Sequence, residues 1–154
     1  MTIRPAAPDD LDAVVELYRA RAKEAASYRA AWGDADARPE PVEESVSADM
    51  TRPDSAVLVA DDGGRVTGYA VVTVGPGLPQ HTDLHARISD FHVDDGFRDA
   101  GLEDELFSAA VAWAREQGAK TAEIGVVAGD RHAKGVFERL GLKARIVRMH
   151  KDLA

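Results

Sequence analysis

The chain has 154 residues, 45% of them apolar and 30% charged, and it has no cysteine. That mixture suits one folded domain with its own core and excludes a disordered chain, while the missing thiols exclude disulfides, thiolate metal sites and cysteine nucleophiles. A net charge of −8 disfavours non-specific coating of nucleic acid or anionic lipid and suits a cationic partner.

Residues 2–4 read as a short strand closed by Pro5. Asp9 or Asp10 then caps a helix whose inward face is Leu11, Val14, Val15, Tyr18 and Ala22. Residues 30–41 are small, polar and proline-containing, the composition of a flexible segment, and residues 42–51 read as a weak second helix. Residues 56–60 and 68–74 form a hairpin around Asp61-Asp62-Gly63-Gly64, because adjacent glycines reach positive φ without steric cost. Residues 87–94 are a third strand of this group, ended by a turn at Asp95-Gly96. A helix over residues 101–117 carries Leu102, Leu106, Ala110 and Trp113 on one stripe and stops at Gly118. A strand over 121–127, a helix over 130–140 stopped by Gly141, and a last strand over 145–151 complete the chain. The strand–helix–strand stretch from 87 to 127 predicts a right-handed crossover between parallel strands. The sheet is therefore expected to be mixed, in one α/β (α+β) domain covering residues 1–154.

Charge is unevenly placed. Residues 1–114 hold 10 bases and 22 acids, whereas residues 115–154 hold 9 bases and 5 acids. No apolar run approaches the ~20 residues that cross a bilayer. The opening Met1-Thr2-Ile3-Arg4-Pro5 is no apolar leader, so the expectation is a cytoplasmic protein with no membrane or nucleic-acid partner.

Two stretches carry chemistry. Phe91-His92-Val93-Asp94-Asp95-Gly96-Phe97-Arg98-Asp99-Ala100-Gly101-Leu102 runs from a strand through a tight turn into a helix N-terminus. Such a turn presents unpaired N–H groups and the positive end of a helix dipole, an anion site; it is also an ordinary strand-to-helix connection. Asp130-Arg131-His132-Ala133-Lys134-Gly135-Val136-Phe137 opens the later helix, where Arg131, Lys134 and Arg139 are either a solvated basic face or contacts for an anionic ligand.

Together these stretches resemble the GNAT acyltransferase superfamily, over nearly the whole chain. That family's turn, Arg/Gln-x-x-Gly-x-Gly/Ala, is matched by Arg98-Asp99-Ala100-Gly101-Leu102-Glu103, and its later helix by Asp130, Ala133, Phe137 and Gly141-Leu142. The resemblance implies a mixed, twisted sheet flanked by helices, with two parallel strands splayed apart at its centre and acetyl-CoA in the gap. It places the pyrophosphate on the amides of Arg98, Asp99, Ala100, Gly101, Leu102 and Glu103, and the pantetheine along Phe91–Val93 with Asp130, Ala133 and Phe137 opposite. It implies an acetyl-CoA-dependent N-acetyltransferase in which an amine, either a small cationic amine or a peptide amino group, attacks the thioester directly. A backbone amide near Val93 would polarise the carbonyl. A homodimer is a common arrangement in that family.

Asp90 and His92 are the candidate general bases, because an ammonium must lose a proton before it can attack. His92 has the better intrinsic pKa and shares a strand face with Asp90; a half-buried structural histidine has the same sequence signature.

Three residues depart from the family pattern. Glu103 puts a carboxylate where the family has Gly or Ala, Asp130 replaces a donor–acceptor asparagine, and Phe137 lacks the hydroxyl that protonates the leaving thiolate in many relatives. These departures define a second expectation, a GNAT-fold binding or interaction module without acetyl-CoA turnover. His81 and His85, four apart with His92 nearby, lack a third ligand at fixed spacing, so no metal is expected. Ser89, Asp90 and His92 are too close along one strand for a hydrolase relay. Trp32 either helps to form a substrate pocket or covers the core.

Overall fold

Adjacent glycines set the centre of the sheet. Gly63 and Gly64 adopt φ of 62° and 97°, and Asp61 accepts the Gly64 N–H through Oδ1 at 2.6 Å. This two-residue loop folds β2 (Ser55–Asp62) back on β3 (Arg65–Pro76). In a computed structural model, which describes residues 1–28, 37–77 and 82–154, the sheet has five strands in the order β1 (Thr2–Pro5), β2, β3, β4 (Leu84–Val93), β5 (Thr121–Ile124). The first three pairings are antiparallel and β4–β5 is parallel, the mixed sheet that the crossover predicts.

Strand alternation divides the core in two. Val57, Val59, Tyr69 and Val71 face α1 (Leu11–Ala26) and α2 (Val42–Thr51), meeting Val14, Val15, Leu17, Tyr18, Val42 and Val46. Leu58, Ala60, Ala70, Val72, Ala86 and Ile88 face the other way, onto Leu102, Leu106, Phe107, Ala110 and Ala114 of α3 (Leu102–Glu116). Each fully buried Val, Leu, Ile or Phe contributes about 1.5–3 kcal/mol, so both faces hold firmly. The expected stripe of α3 ends on Ala114 and not on Trp113: Leu102, Leu106, Ala110 and Ala114 are buried, and Trp113 is half-buried beside them.

The first helix begins behind a 3-10 turn, Pro8–Asp10, in which Asp10 accepts the Ala7 N–H at 2.7 Å and a forked ion pair from Arg4. The helix over 42–51 forms as expected, and α4 (Arg131–Arg139) follows β5. Two expectations need correction. The strand over 121–127 stops at Ile124, after which residues 125–127 leave the sheet. The final strand over 145–151 does not form: residues 143–154 are exposed along their whole length and join no ladder. A strand needs a neighbouring strand to take its N–H and C=O groups, and none of the five described strands pairs with that segment. Of the expected flexible segment 30–41, residues up to 36 lie outside the described residues, Trp32 and Asp34 among them, as does His81.

Candidate active site

The site begins with one extra residue. Val71 pairs with Asp90 but Val72 pairs with Ile88, so Ser89 is a bulge in β4. Before it, Ala86 and Ile88 face α3; after it, Phe91 and Val93 do, and Asp90 and His92 are turned to the α1 side. The parallel pairing with β5 ends in the same place, at Ile88–Ile124. Beyond that point β4 and the chain after β5 diverge, and a cleft opens between them. Its walls include Ser89, Phe91, His92 and Val93 from β4, residues 124–127, and Asp130, His132, Ala133, Val136 and Phe137 around α4.

The backbone of β4 beyond the bulge is aimed into this gap. Asp94 donates its N–H to Thr67 of β3 at 2.9 Å. Backbone groups alternate sides along a strand, so those of Val93 and Phe91 point to the opposite edge, where β5 has departed. On the same rim, Gly101 holds φ +77°, open to glycine at no steric cost, between the 3-10 turn Asp95–Ala100 and the N-terminus of α3. The N–H groups of that first helical turn have no intrahelical partner.

Charged groups line the cleft in pairs. Arg98 forks onto Glu24 of α1 at 3.2 and 2.8 Å, donates from Nε to the Val93 carbonyl at 3.1 Å, and lies 3.1 Å from Asp95. The hydrogen bond from Arg98 holds the Glu24 carboxyl below the usual carboxylate range, and Glu24 in turn raises Arg98. His92 Nδ1 lies 3.9 Å from Glu24. Burial, and then the Arg98 charge, lower the His92 pKa against the opposing pull of Glu24. Glu103 is buried at the α3 N-terminus and meets His132 Nε2 at 3.0 and 3.1 Å. Asp130 caps α4 by accepting the Ala133 N–H at 2.9 Å, and Phe137 packs edge-on against Phe91 with ring centroids 5.3 Å apart.

The expected cofactor residues thus converge: Phe91, Val93, Arg98, Glu103, Asp130, Ala133 and Phe137 all border one cleft. Ala100 and Gly101 lie in the turn on its rim, with the backbone of Asp99, and Leu102 faces the core. Asp90 stands apart. It is 1% exposed, 2.6 Å from Arg38 Nε and 3.4 Å from Arg21, behind the wall rather than in the cleft. His85 is tied to β5, through Nδ1 to Thr121 at 2.7 Å and through Nε2 to Glu123 at 3.4 Å. Among the described residues no group of three or more His, Asp or Glu is placed to hold a metal, and no helix is long and apolar enough to cross a membrane.

Sequence reasoning missed the α1 wall. Arg21, Glu24, Ala25 and Tyr28 line the cleft at i, i+3, i+4 and i+7. The signal was available: these residues continue the stripe of Val14 and Tyr18, and a charge where an apolar stripe is due marks a cavity instead of a core.

A mixed sheet parted between two parallel strands, with two helices opening onto the gap, defines an acyl-transfer fold. The chain belongs to the acetyltransferase (GNAT) family, whose sequence model matches residues 14–142. Among solved structures it is similar to a mutant of the BH1408 protein from Bacillus halodurans (25% identity, 100% of both chains, TM-score 0.81). Two further structures share the fold. One is an aminoglycoside acetyltransferase from an uncultured soil metagenomic sample, solved with sisomicin (18% identity, 99% of this chain and 96% of that one, TM-score 0.72). The other is an aminoglycoside N-acetyltransferase solved with CoA (15% identity, 98% and 99%, TM-score 0.73). No curated protein matches the chain.

Proposed function

We propose that the protein is an acetyl-CoA-dependent N-acetyltransferase acting on an amine, either a small cationic amine or a peptide amino group, by direct attack. The observation that carries this reading is the parted β4–β5 edge, where Phe91 and Val93 turn their backbone groups into an open cleft. An amide-bearing arm such as pantetheine suits that edge as an added strand does. The glycine turn and the first amides of α3 suit a pyrophosphate.

Bound there, acetyl-CoA supplies a thioester carbonyl open to a nucleophile. The Val93 N–H is placed to donate to the carbonyl oxygen as charge develops on it. His92, kept neutral near pH 7 by its burial, takes the proton that the ammonium must lose. Glu24, 3.9 Å away, stabilises the resulting imidazolium and gives the cleft an acidic wall toward a cationic acceptor. Phe137 has no hydroxyl, so water returns the proton to the departing thiolate. Asp90 serves as a positioning residue, through its grip on Arg38 and Arg21. No step of this scheme draws on a metal. The aminoglycoside acetyltransferases that share the fold support an amine as the acceptor class.

A second reading has its own observation. Arg98 is engaged by Glu24 and the Val93 carbonyl, and the Glu103 carboxylate occupies the mouth of the pyrophosphate turn. These contacts suit a binding module of the same fold that has lost turnover. Calorimetry against acetyl-CoA, with the Glu103→Gly variant beside the wild type, separates the two. The enzyme reading expects micromolar binding, about −8 kcal/mol, roughly tenfold tighter in the variant because one carboxylate near the phosphates is gone, and free thiol released with an amine from a cationic panel. Binding without thiol release establishes the module instead, and no binding by either protein sinks the acetyl-CoA reading altogether.

A further inference from the structure

Residues 94–105, which span the 3-10 turn and the start of α3, hold six acids and one base, Arg98. An anion seated on this turn has a single cation within it to meet, and that cation is already engaged. All three nitrogens of the Arg98 guanidinium donate inside the protein: Nε to the Val93 carbonyl at 3.1 Å, and Nη1 and Nη2 to the two oxygens of Glu24 at 3.2 and 2.8 Å. Asp95 stands 3.1 Å from Nη1 but is 88% exposed, a loose partner. A guanidinium fork receives a carboxylate or a phosphate with the same geometry, so the two compete for one pair of N–H groups.

Glu24 reaches this fork from α1, 74 positions away. Its Oε2 faces two ways, 2.8 Å from Arg98 Nη2 and 3.9 Å from His92 Nδ1. While Arg98 neutralises it, its pull on His92 is outweighed by burial and by the Arg98 charge. A carboxylate that leaves the fork has room to do so: Glu24 and His92 also border a second hollow, of about 610 Å³, between α1 and the turn.

We propose that Glu24 is a tethered stand-in for the donor's diphosphate: when acetyl-CoA is bound, Arg98 turns from carboxylate to phosphate, and the displaced Glu24 stands unpaired beside His92. The inference rests on the acetyl-transfer reading and adds to it a positioning role for Glu24 that begins with donor binding. A diphosphate carries more charge than one carboxylate, and a partly exposed ion pair is weak enough to yield to it. The released carboxylate is then the counter-ion for the proton that His92 accepts, and by linkage a protonated His92 favours the donor equally.

The other groups around His92 keep their partners in this exchange. Asp94 and Asp95 favour its charged form, Arg21 on α1 and Arg65 on β3 border the same hollows, and Asp90, two residues back, stays with Arg38 and Arg21. Tyr69, its partner across the ladder, is buried, and its phenol is held neutral by that burial.

Calorimetry with CoA, which carries the diphosphate but no acetyl group, tests the exchange. Glu24→Gln and Glu24→Asp are both expected to bind CoA about threefold tighter than the wild type, since the shorter acid keeps the charge and loses the fork. Charge acting at a distance predicts a gain in Glu24→Gln alone. The second readout is the His92 imidazole by NMR, assigned with His92→Gln. CoA is expected to raise its pKa in the wild type, and by less in Glu24→Gln, where the phosphate charge arrives but no carboxylate is released. An equal rise in those two proteins, or a Glu24→Asp variant that binds CoA no tighter than the wild type, overturns the exchange and leaves the acetyl-transfer reading standing. No CoA binding by any of the three proteins removes that reading and this inference with it.

Discussion

His92 owes its position to the bulge at Ser89 and its chemistry to burial and two charged neighbours. Burial disfavours its charged form, the Arg98 guanidinium disfavours it further, and Glu24 opposes both without cancelling them. Its pKa therefore lies below the ordinary value of about 6.5. As the base that accepts the ammonium proton, it predicts a kcat/KM that rises with pH through an apparent pKa under ~6.5 and then levels until the amine itself titrates. His92→Gln is expected to lower kcat roughly a hundredfold and to abolish that acid limb. Glu24→Gln removes the foremost of the carboxylates that raise His92, ahead of Asp94 and Asp95, and leaves Arg98 less neutralised, so the limb moves to lower pH. An acid limb unchanged in His92→Gln would mean that the proton leaves by another route.

Between elements, the firmest polar link is a buried cluster. Arg38 donates to Asp90 on β4 at 2.6 Å, and to Asp49 at 2.7 Å and Ser45 at 2.9 Å on α2, with its own side chain 6% exposed. Burial works against the Arg38 charge, but the carboxylates of Asp90 and Asp49 outweigh it, and the net effect raises its pKa. Arg38→Ala would leave the buried Asp90 with less countercharge and is expected to cost about 3–5 kcal/mol in urea unfolding. Arg38→Met combined with Asp90→Leu is expected to regain part of that loss, because the most deeply buried charge, Asp90, is gone, while Asp49 keeps Arg52 at 3.3 Å. If the double variant is as unstable as Arg38→Ala, packing by the long side chain outweighs the ion pair. This cluster was not legible in the sequence, since 52 positions separate Arg38 from Asp90 and no local pattern links them. The bulge was legible: apolar residues at 86, 88, 91 and 93 break strict alternation at one point, which is what an inserted residue does. The hairpin, the crossover and the glycine turn were also readable, because each is set by local backbone preference. The strand expected over 145–151 has the right alternation, yet it joins no sheet, because alternation specifies a face and says nothing of whether an edge lies beside it.

Across the whole molecule, acid acts in one direction through several groups. Asp10 is lowered chiefly by its hydrogen bond with Arg4, Glu24 by Arg98, and Asp61 by the Gly64 amide and then Arg4. A carboxylate whose folded pKa lies below its unfolded value contributes stability above the unfolded value, near pH 4, and loses it as the pH falls through the folded one. His92, lowered by burial, has the same sign at higher pH. Below about 6.5 the unfolded chain takes up a proton that the native imidazole still refuses, so stability starts to fall there and continues to fall through the folded pKa. One effect opposes these. The chain carries −8 at neutral pH and has a pI near 5.1, so acidification relieves self-repulsion. That relief is spread over the surface and is screened within about 8 Å at physiological salt, whereas the Arg4–Asp10 and Arg98–Glu24 contacts are 2.7 and 2.8 Å long and partly shielded from solvent. The local pairs therefore prevail. Calorimetric Tm at 0.15 M salt is expected to be highest above pH ~6.5, to decline gently toward pH 5, and to drop steeply below pH ~4. His92→Gln should remove the gentle decline and keep the steep one, which assigns each part of the curve to its group. A wild-type Tm that climbs steadily from pH 7 to pH 5 would show that whole-surface repulsion, and not the paired groups, governs the stability of this fold.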